Sequence, residues 1–81
     1  MKFHTHAVIR MIERGASEEE VTTAISEGER FEAKFGRQGF RRNFAFGGLW
    51  RGRHYHMKQV EAFAIQEDND WLVISVIVKY F

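Results

Sequence analysis

The spacing of the apolar residues changes at Gly28, and this change limits the fold more strongly than any other feature of the sequence. Before Gly28 the apolar residues recur at helical spacing, as Ala7, Val8, Met11 and Ile12 do. After Gly28 they alternate with polar residues, which is the period of a half-buried β-strand. A chain of 81 residues that is helical first and extended afterwards predicts a single α+β domain over 1–81, because it is too short to build a second core.

Capping residues divide the first part into two helices. Gly15 is placed to end the first helix, since glycine adopts the left-handed conformation that closes many helices. Ser17 and Glu20 have the spacing of a capping box at the start of the second helix, and Gly28 ends it. The sequence therefore predicts a helical hairpin over residues 5–28.

The second part, residues 29–81, predicts an antiparallel sheet of three or four strands, because its turns are too short for parallel crossovers. One such turn is expected at Glu67–Asp70. The last strand alternates most regularly, with one apolar face and one mixed face: Leu72, Ile74, Val76, Val78 and Tyr80 on the first, and Trp71, Val73, Ser75, Ile77 and Lys79 on the second. The predicted fold is the N-terminal helical hairpin packed on one face of this sheet.

Composition excludes several classes of protein. The chain has no cysteine, which excludes a disulfide scaffold, thiolate chemistry and cysteine-based zinc sites. Its longest apolar run is far shorter than the roughly 20 residues that cross a bilayer, and its first residues do not resemble a secretory signal. We therefore expect a cytoplasmic protein without a membrane partner. No cofactor is predicted.

The charges are strongly segregated along the chain. The segment from Ala33 to Val60 holds seven of the twelve lysines and arginines and none of the eleven acidic residues. Its net charge is therefore +7, the rest of the chain carries −6, and the whole chain carries +1. Arginines interleaved with aromatic rings are typical of surfaces that bind single-stranded nucleic acid. The candidates to bind RNA phosphates are Arg37, Arg41, Arg42, Arg51, Arg53 and Lys58. The alternative is that Phe40, Phe44 and Phe46 form the core and that the cations are simply solvated.

The four histidines form two pairs, His4 with His6 and His54 with His56. Either pair could bind a transition metal, but no acidic residue in the basic segment completes a ligand set, so no metal site is assigned. Histidine also suits proton transfer near neutral pH. His6, Arg10 and Arg14 lie on one side of the first helix, where they could assist RNA cleavage without a metal. The alternative is that the two arginines tie the helices together.

Residues 6–17, HAVIRMIERGAS, resemble the HAxxRMxERGxS opening of a widespread family of small bacterial proteins of unassigned function. That family in turn resembles the RelE/BrnT-type toxins of toxin–antitoxin pairs. The resemblance implies a RelE-like fold, metal-independent mRNA cleavage and a cognate antitoxin. It also implies roles in catalysis for Tyr80, at the end of the last strand, and for His56 on the strand before it.

Two functions follow as hypotheses. The first is a ribonuclease toxin that binds RNA through residues 33–60, with the catalytic candidates His6, Arg10, Arg14, His56 and Tyr80. The second is a non-catalytic interaction module that forms a homo-oligomer or a partner complex through the mixed face of the last strand. Trp71, Val73 and Ile77 would supply the apolar contacts, because an exposed patch of this kind needs cover.

Overall fold

Two helices lie on one five-stranded sheet in the computed structural model, which describes residues 1–81. In chain order the elements are β1 (Lys2–Phe3), α1 (Thr5–Arg14), α2 (Glu18–Glu27), β2 (Glu29–Glu32), β3 (Gln38–Trp50), β4 (Arg53–Glu67) and β5 (Asp70–Tyr80). The predicted α+β class and the helical hairpin are confirmed. Neither helix is long and apolar enough to cross a membrane.

The expected residues cap the helices. Gly15 ends α1 with φ at 77°, and its N–H donates to the carbonyl of Met11. The Ser17 N–H donates to the Glu20 carboxylate at 2.9 Å, and the Glu20 N–H donates to the Ser17 hydroxyl at 3.0 Å. The predicted capping box is therefore present, and it stabilises α2 by satisfying donors that the first turn leaves without a partner.

The sheet has one more strand than the predicted maximum, and this strand runs parallel to its neighbour. The strand order is β1-β5-β4-β3-β2, and β2 to β5 form an antiparallel meander. The short strand β1 pairs in parallel with β5 at Leu72 and Val73. The prediction of three or four wholly antiparallel strands is therefore wrong. Two residues are too few to show an alternating pattern, and β1 is a strand only because β5 lies beside it.

Two-residue turns join the three long strands. Arg51 and Gly52 both have positive φ between β3 and β4, as do Asp68 and Asn69 between β4 and β5. Positive φ at both central residues is the mark of a type I′ turn, whose twist matches that of antiparallel strands. The turn expected at Glu67–Asp70 is confirmed.

A bulge in β5 changes which side chains face the helices. Ala62 pairs with Val76, but Ala64 pairs with Val73, so β5 holds an extra residue between the two. Both valines are fully buried beneath the helices, and Trp71 packs edge-on against the core residue Phe40. Of the three residues predicted to form the interface, Trp71 and Val73 therefore lie on the core side of the sheet, because a strict alternation cannot anticipate a bulge. Ile77 is exposed on the opposite face, as expected.

The core lies between the helical hairpin and one face of the sheet. The helices and the link between them contribute Ala7, Met11, Ala16, Val21 and Ile25, and the sheet contributes Phe40, Val60, Ala62, Ala64, Val73 and Val76. Phe44 packs against this cluster, so the expectation that phenylalanines of β3 belong to the core is confirmed for Phe40 and Phe44. The other face of the sheet carries no helix.

Candidate functional site

The C-terminal end of α1 is held by side chains from the sheet. The last carbonyls of a helix have no partner within it. Arg51 donates to the carbonyl of Glu13 at 3.3 Å, and the Tyr80 hydroxyl donates to the carbonyl of Arg14 at 2.7 Å. Together they seat the end of α1 on β5 and on the β3–β4 turn.

Lys58 provides the third of these contacts. Its ammonium group donates to the carbonyl of Gly15 at 2.6 Å and lies 2.8 Å from the Glu20 carboxylate. The lysine is only 6% exposed. A buried cation at a helix C-terminus is favoured by the helix dipole, and the carboxylate compensates for the loss of its hydration. Lys58 therefore joins both helices to the sheet.

An open polar cleft lies beside this joint, and we call it the α1 cleft. Its volume is about 390 Å³. It is lined by side chains from the end of α1, the β3–β4 turn and the end of β5: Glu13, Arg14, Trp50, Arg51, Val78 and Tyr80. The fold thus brings together residues that are more than 60 positions apart in the chain.

Two guanidinium groups in the α1 cleft are available to an anion. Arg14 donates one N–H to the carbonyl of Val76 at 2.7 Å, and Arg51 donates one to the carbonyl of Glu13. Neither arginine forms an ion pair with a carboxylate. A guanidinium group has five N–H donors in a planar fork. Each arginine therefore keeps free N–H groups that could bind a phosphate through two parallel hydrogen bonds.

Aromatic rings form one wall of the α1 cleft. The rings of Trp50 and Tyr80 stack with centroids 4.8 Å apart and planes 15° from parallel. Burial raises the pKa of the Tyr80 phenol above its usual value; the charge of Glu20 also raises it, and the charge of Arg51 opposes the shift. The phenol therefore stays protonated at neutral pH and acts as a hydrogen-bond donor.

The other catalytic candidates lie outside the α1 cleft. His6 and Arg10 line a smaller cavity of about 130 Å³ with Ile9, on the exposed side of α1. His56 is exposed on β4 and its ring lies 5.3 Å from that of His54. Of the five catalytic residues proposed from the sequence, only Arg14 and Tyr80 line the α1 cleft.

Each of the two histidine pairs consists of neighbouring rings, and neither pair has a third side chain beside it that could complete a metal site. The His4 and His6 rings are 5.1 Å apart, and the His4 imidazole accepts a hydrogen bond from the backbone N–H of His6 at the start of α1. No group of three or more histidine, aspartate or glutamate side chains could hold a metal ion. His4 therefore has a capping role that its residue type alone did not indicate.

The fold places acidic side chains from outside the basic segment against some of its cations. Arg41 lies 3.1 Å from Glu29, and Arg42 lies 3.8 Å from Glu27. Among the residues predicted to bind phosphates, Arg37, Arg51 and Arg53 have no acidic partner. Burial of Lys58 leaves its ammonium group no access to a bound phosphate, so the phosphate contact predicted for it does not fit its position.

Sequence reasoning missed Trp50 and Glu13 as residues of the cleft. A signal for Trp50 was present, because a tryptophan directly before Arg51 and Gly52 places a large ring next to a tight turn. Glu13 lies within the motif of residues 6–17, but its spacing alone indicated a partner for Arg10, which it is at 3.4 Å. Only the packing of α1 on the sheet brings Glu13 to the cleft.

Comparison with known proteins gives one result. No match was found among curated proteins or among solved structures. A family model described as a domain of unknown function, DUF4258, matches residues 3–78. This match extends from β1 through nearly all of β5 and includes every residue that lines the α1 cleft except Tyr80. The chain therefore belongs to the DUF4258 family.

Proposed function

We propose that this protein is a metal-independent endoribonuclease that binds single-stranded RNA in the α1 cleft. The observation that carries the proposal is the convergence of Arg14, Arg51 and Tyr80 on one open polar cleft. Two arginines with free donors suit a phosphate, and the adjacent ring of Trp50 suits a base. The resemblance of residues 6–17 to the relatives of RelE/BrnT-type toxins agrees with this chemistry.

The reaction would be attack of a ribose 2′-hydroxyl on the adjacent phosphorus. The 2′-oxygen bonds to phosphorus as its proton moves to the Glu13 carboxylate, which is the only carboxylate lining the cleft. Arg14 and Arg51 stabilise the additional negative charge of the phosphorane. The bond to the 5′-oxygen then breaks, and that oxygen takes the Tyr80 proton, which the hydroxyl donates to the Arg14 carbonyl before substrate binds. The products are a 2′,3′-cyclic phosphate and a 5′-hydroxyl.

The protonation state of Tyr80 agrees with its role as the proton donor. The raised pKa of Tyr80 keeps its proton in place at neutral pH, so the phenol can act as the acid and not as the base. This arrangement replaces the proton-transfer roles that the sequence suggested for His6 and His56. In the cell the protein would be a cytoplasmic toxin, neutralised by a cognate antitoxin protein.

Cleavage of a labelled single-stranded RNA in the presence of EDTA tests the proposal. The native protein should produce 2′,3′-cyclic phosphate ends. Arg51→Ala should lower the rate by about 100-fold, because one donor to the phosphorane is lost. Lys2→Met is the matched control, since it removes an exposed cation far from the cleft, and its rate should equal that of the native protein. Equal rates for the native protein and Arg51→Ala would contradict the assignment.

A second candidate is a protein-interaction module, and the open outer edge of β5 favours it. Phe81 and Met57 exchange both backbone hydrogen bonds, so the alternating pattern points the backbone groups of Val78 and Tyr80 away from β4. Strand β1 covers β5 only at Leu72 and Val73. A second copy could pair along this edge. Light scattering tests this: a dimer that persists at low concentration and high salt supports it, and a monomer at every concentration refutes it.

A further inference from the structure

A second pocket lies on the face of the sheet that carries no helix. It is formed by the turn 33–37 between β2 and β3, together with Phe63, Ser75 and Ile77, and we call it the turn pocket. Its volume is about 290 Å³, near the lower end for pockets that hold small organic molecules. None of its residues lines the α1 cleft, which lies on the opposite side of the sheet.

Phe35, on the rim of the turn pocket, has a strained backbone conformation and an exposed ring, and neither of these stabilises the fold. Its φ is 62°, and the following Gly36 also has positive φ. Lys34 and Arg37 close this turn, with the Arg37 N–H donating to the Lys34 carbonyl at 3.3 Å. The first central position of such a turn favours Asn, Asp or Gly over a bulky residue. Phe35 is 86% exposed, so burial of its ring does not offset the backbone strain.

The charges around the turn pocket complement an anion. Lys34 and Arg37 line it, and neither forms an ion pair or a side-chain hydrogen bond with another residue. The Arg37 guanidinium lies 5.9 Å from the centroid of the Phe35 ring. No acidic residue lines the pocket, and Glu61 on the same face is paired with Lys79 at 3.2 Å. A flat apolar surface therefore lies beside two free cations.

We propose that the turn pocket binds one nucleotide of single-stranded RNA. Its base stacks on Phe35 above the apolar floor of Phe63 and Ile77, and its phosphate contacts Lys34 and Arg37. The inference rests on the RNA-binding function proposed above and adds to it a second, non-catalytic subsite. In this arrangement the positive φ of Phe35 positions the exposed ring beside the pocket, where a base can stack on it.

Phe35→Gly is the informative variant. Glycine adopts positive φ without strain, so the variant should fold at least as stably as the native protein while lacking the ring. A fluorescent hexa-adenylate with 2′-O-methyl groups, which cannot be cleaved, is the probe, and fluorescence anisotropy reports its binding. Phe35→Gly should weaken binding by about 5- to 100-fold. Phe35→Trp should retain it. Ile12→Ala, which truncates another highly exposed apolar side chain, on α1, should bind as the native protein does.

Separate outcomes decide the pocket and the cleft. Native affinity in Phe35→Gly would overturn the proposal for the turn pocket, even if Arg51→Ala still lowered the rate of cleavage. Conversely, binding that depends on Phe35 in a protein that cleaves no RNA would support the pocket and overturn the catalytic proposal.

AMP should shift the backbone NMR signals of Gly36 and Gly39, and the absence of such shifts would count against a nucleotide site. A mass in solution that falls on Phe35→Gly would overturn the proposal in favour of a second copy of the chain.

Discussion

Gly15 shows how a single position can join two parts of the fold. Its φ is 77°, and a Cβ there would lie 2.6 Å from the Tyr80 hydroxyl and 2.7 Å from the Trp50 ring. The motif residue thus serves two needs at once: it closes α1, and it lets the helix end approach the aromatic wall of the α1 cleft.

Gly15→Ala should therefore destabilise the protein through both effects. We expect a loss of about 3 kcal/mol in the free energy of unfolding, of which about 1–2 kcal/mol is backbone strain and the rest is overpacking. Gly36→Ala is the matched control, because its φ is 70° but a Cβ there would meet nothing within 4 Å. Urea unfolding of both variants measures the difference, and equal losses would show that the contact with Trp50 and Tyr80 has no weight.

The phenol of Tyr80 should titrate above the usual tyrosine range. Because burial raises its folded-state pKa, the folded protein holds this proton where the unfolded chain has already released it. The resulting stability is fully present below about pH 10, the unfolded value, and is lost as the pH rises through the higher folded pKa. Ultraviolet absorbance against pH should show a late tyrosine transition that Tyr80→Phe removes. A transition unchanged in Tyr80→Phe would contradict the assignment.

At the scale of elements, the helical hairpin is held to the sheet by polar contacts as well as by the core. Lys58 on β4 reaches the end of α1 and the first turn of α2 at the same time. The motif of residues 6–17 therefore has a structural role, because Gly15 and Ser17 set the geometry between the helices. Glu20, just after the motif, forms the ion pair with Lys58 of the sheet.

Lys58→Met should cost about 2–4 kcal/mol of folding free energy, because the Gly15 carbonyl loses its side-chain donor and the Glu20 carboxylate, which keeps the Ser17 N–H, loses its cation. Lys2→Met removes an exposed ion pair with Glu67, whose groups are 3.8 Å apart, and should change stability by less than about 0.5 kcal/mol. Thermal unfolding at constant pH compares the two. A small loss in Lys58→Met would mean that the core alone holds the hairpin in place.

At the scale of the whole molecule, folding redistributes the segregated charge. Glu20, Glu27 and Glu29 come from the acidic part of the chain and meet three of the seven cations between Ala33 and Val60. Four cations of that segment remain without an acidic partner: Lys34, Arg37, Arg51 and Arg53. The positive surface is therefore smaller than the sequence indicated, and it lies at the turns before and after β3.

RNA binding should weaken with salt to a degree set by these free cations. With three or four phosphate contacts to a single strand, the logarithm of the binding constant should fall with the logarithm of salt concentration at a slope of about −2 to −3. Anisotropy titrations between about 50 and 200 mM KCl measure it. A slope near zero would contradict a phosphate-based interface, and a slope beyond about −5 would require the paired arginines Arg41 and Arg42 to release their carboxylates.

Local chemistry made much of the fold predictable. Gly15, Ser17 and Glu20 act through neighbours a few positions away, so the helix ends could be read directly from them. The β-bulge next to Val73 could not be predicted, because it depends on how β5 fits beside β4. For the same reason β1 escaped notice, and Trp71 was assigned to the wrong face. In the candidate site, Arg14 and Tyr80 were identified as catalytic candidates and Arg51 as a phosphate contact, but Glu13 and Trp50 were not identified.

The sequence by itself determined that two helices precede the long strands, the Gly15 end of α1, the capping box of α2, the tight turn between β4 and β5 and the imbalance of charge, since each depends on residues close together in the chain. Tertiary structure alone decided which cations are free, that Lys58 is buried, and that the end of α1, the β3–β4 turn and the end of β5 enclose one cleft. These outcomes rest on contacts between residues from 12 to 66 positions apart. Such contacts form only when the helical hairpin buries its apolar side on the sheet, so the spacing of residues along the chain does not predict them.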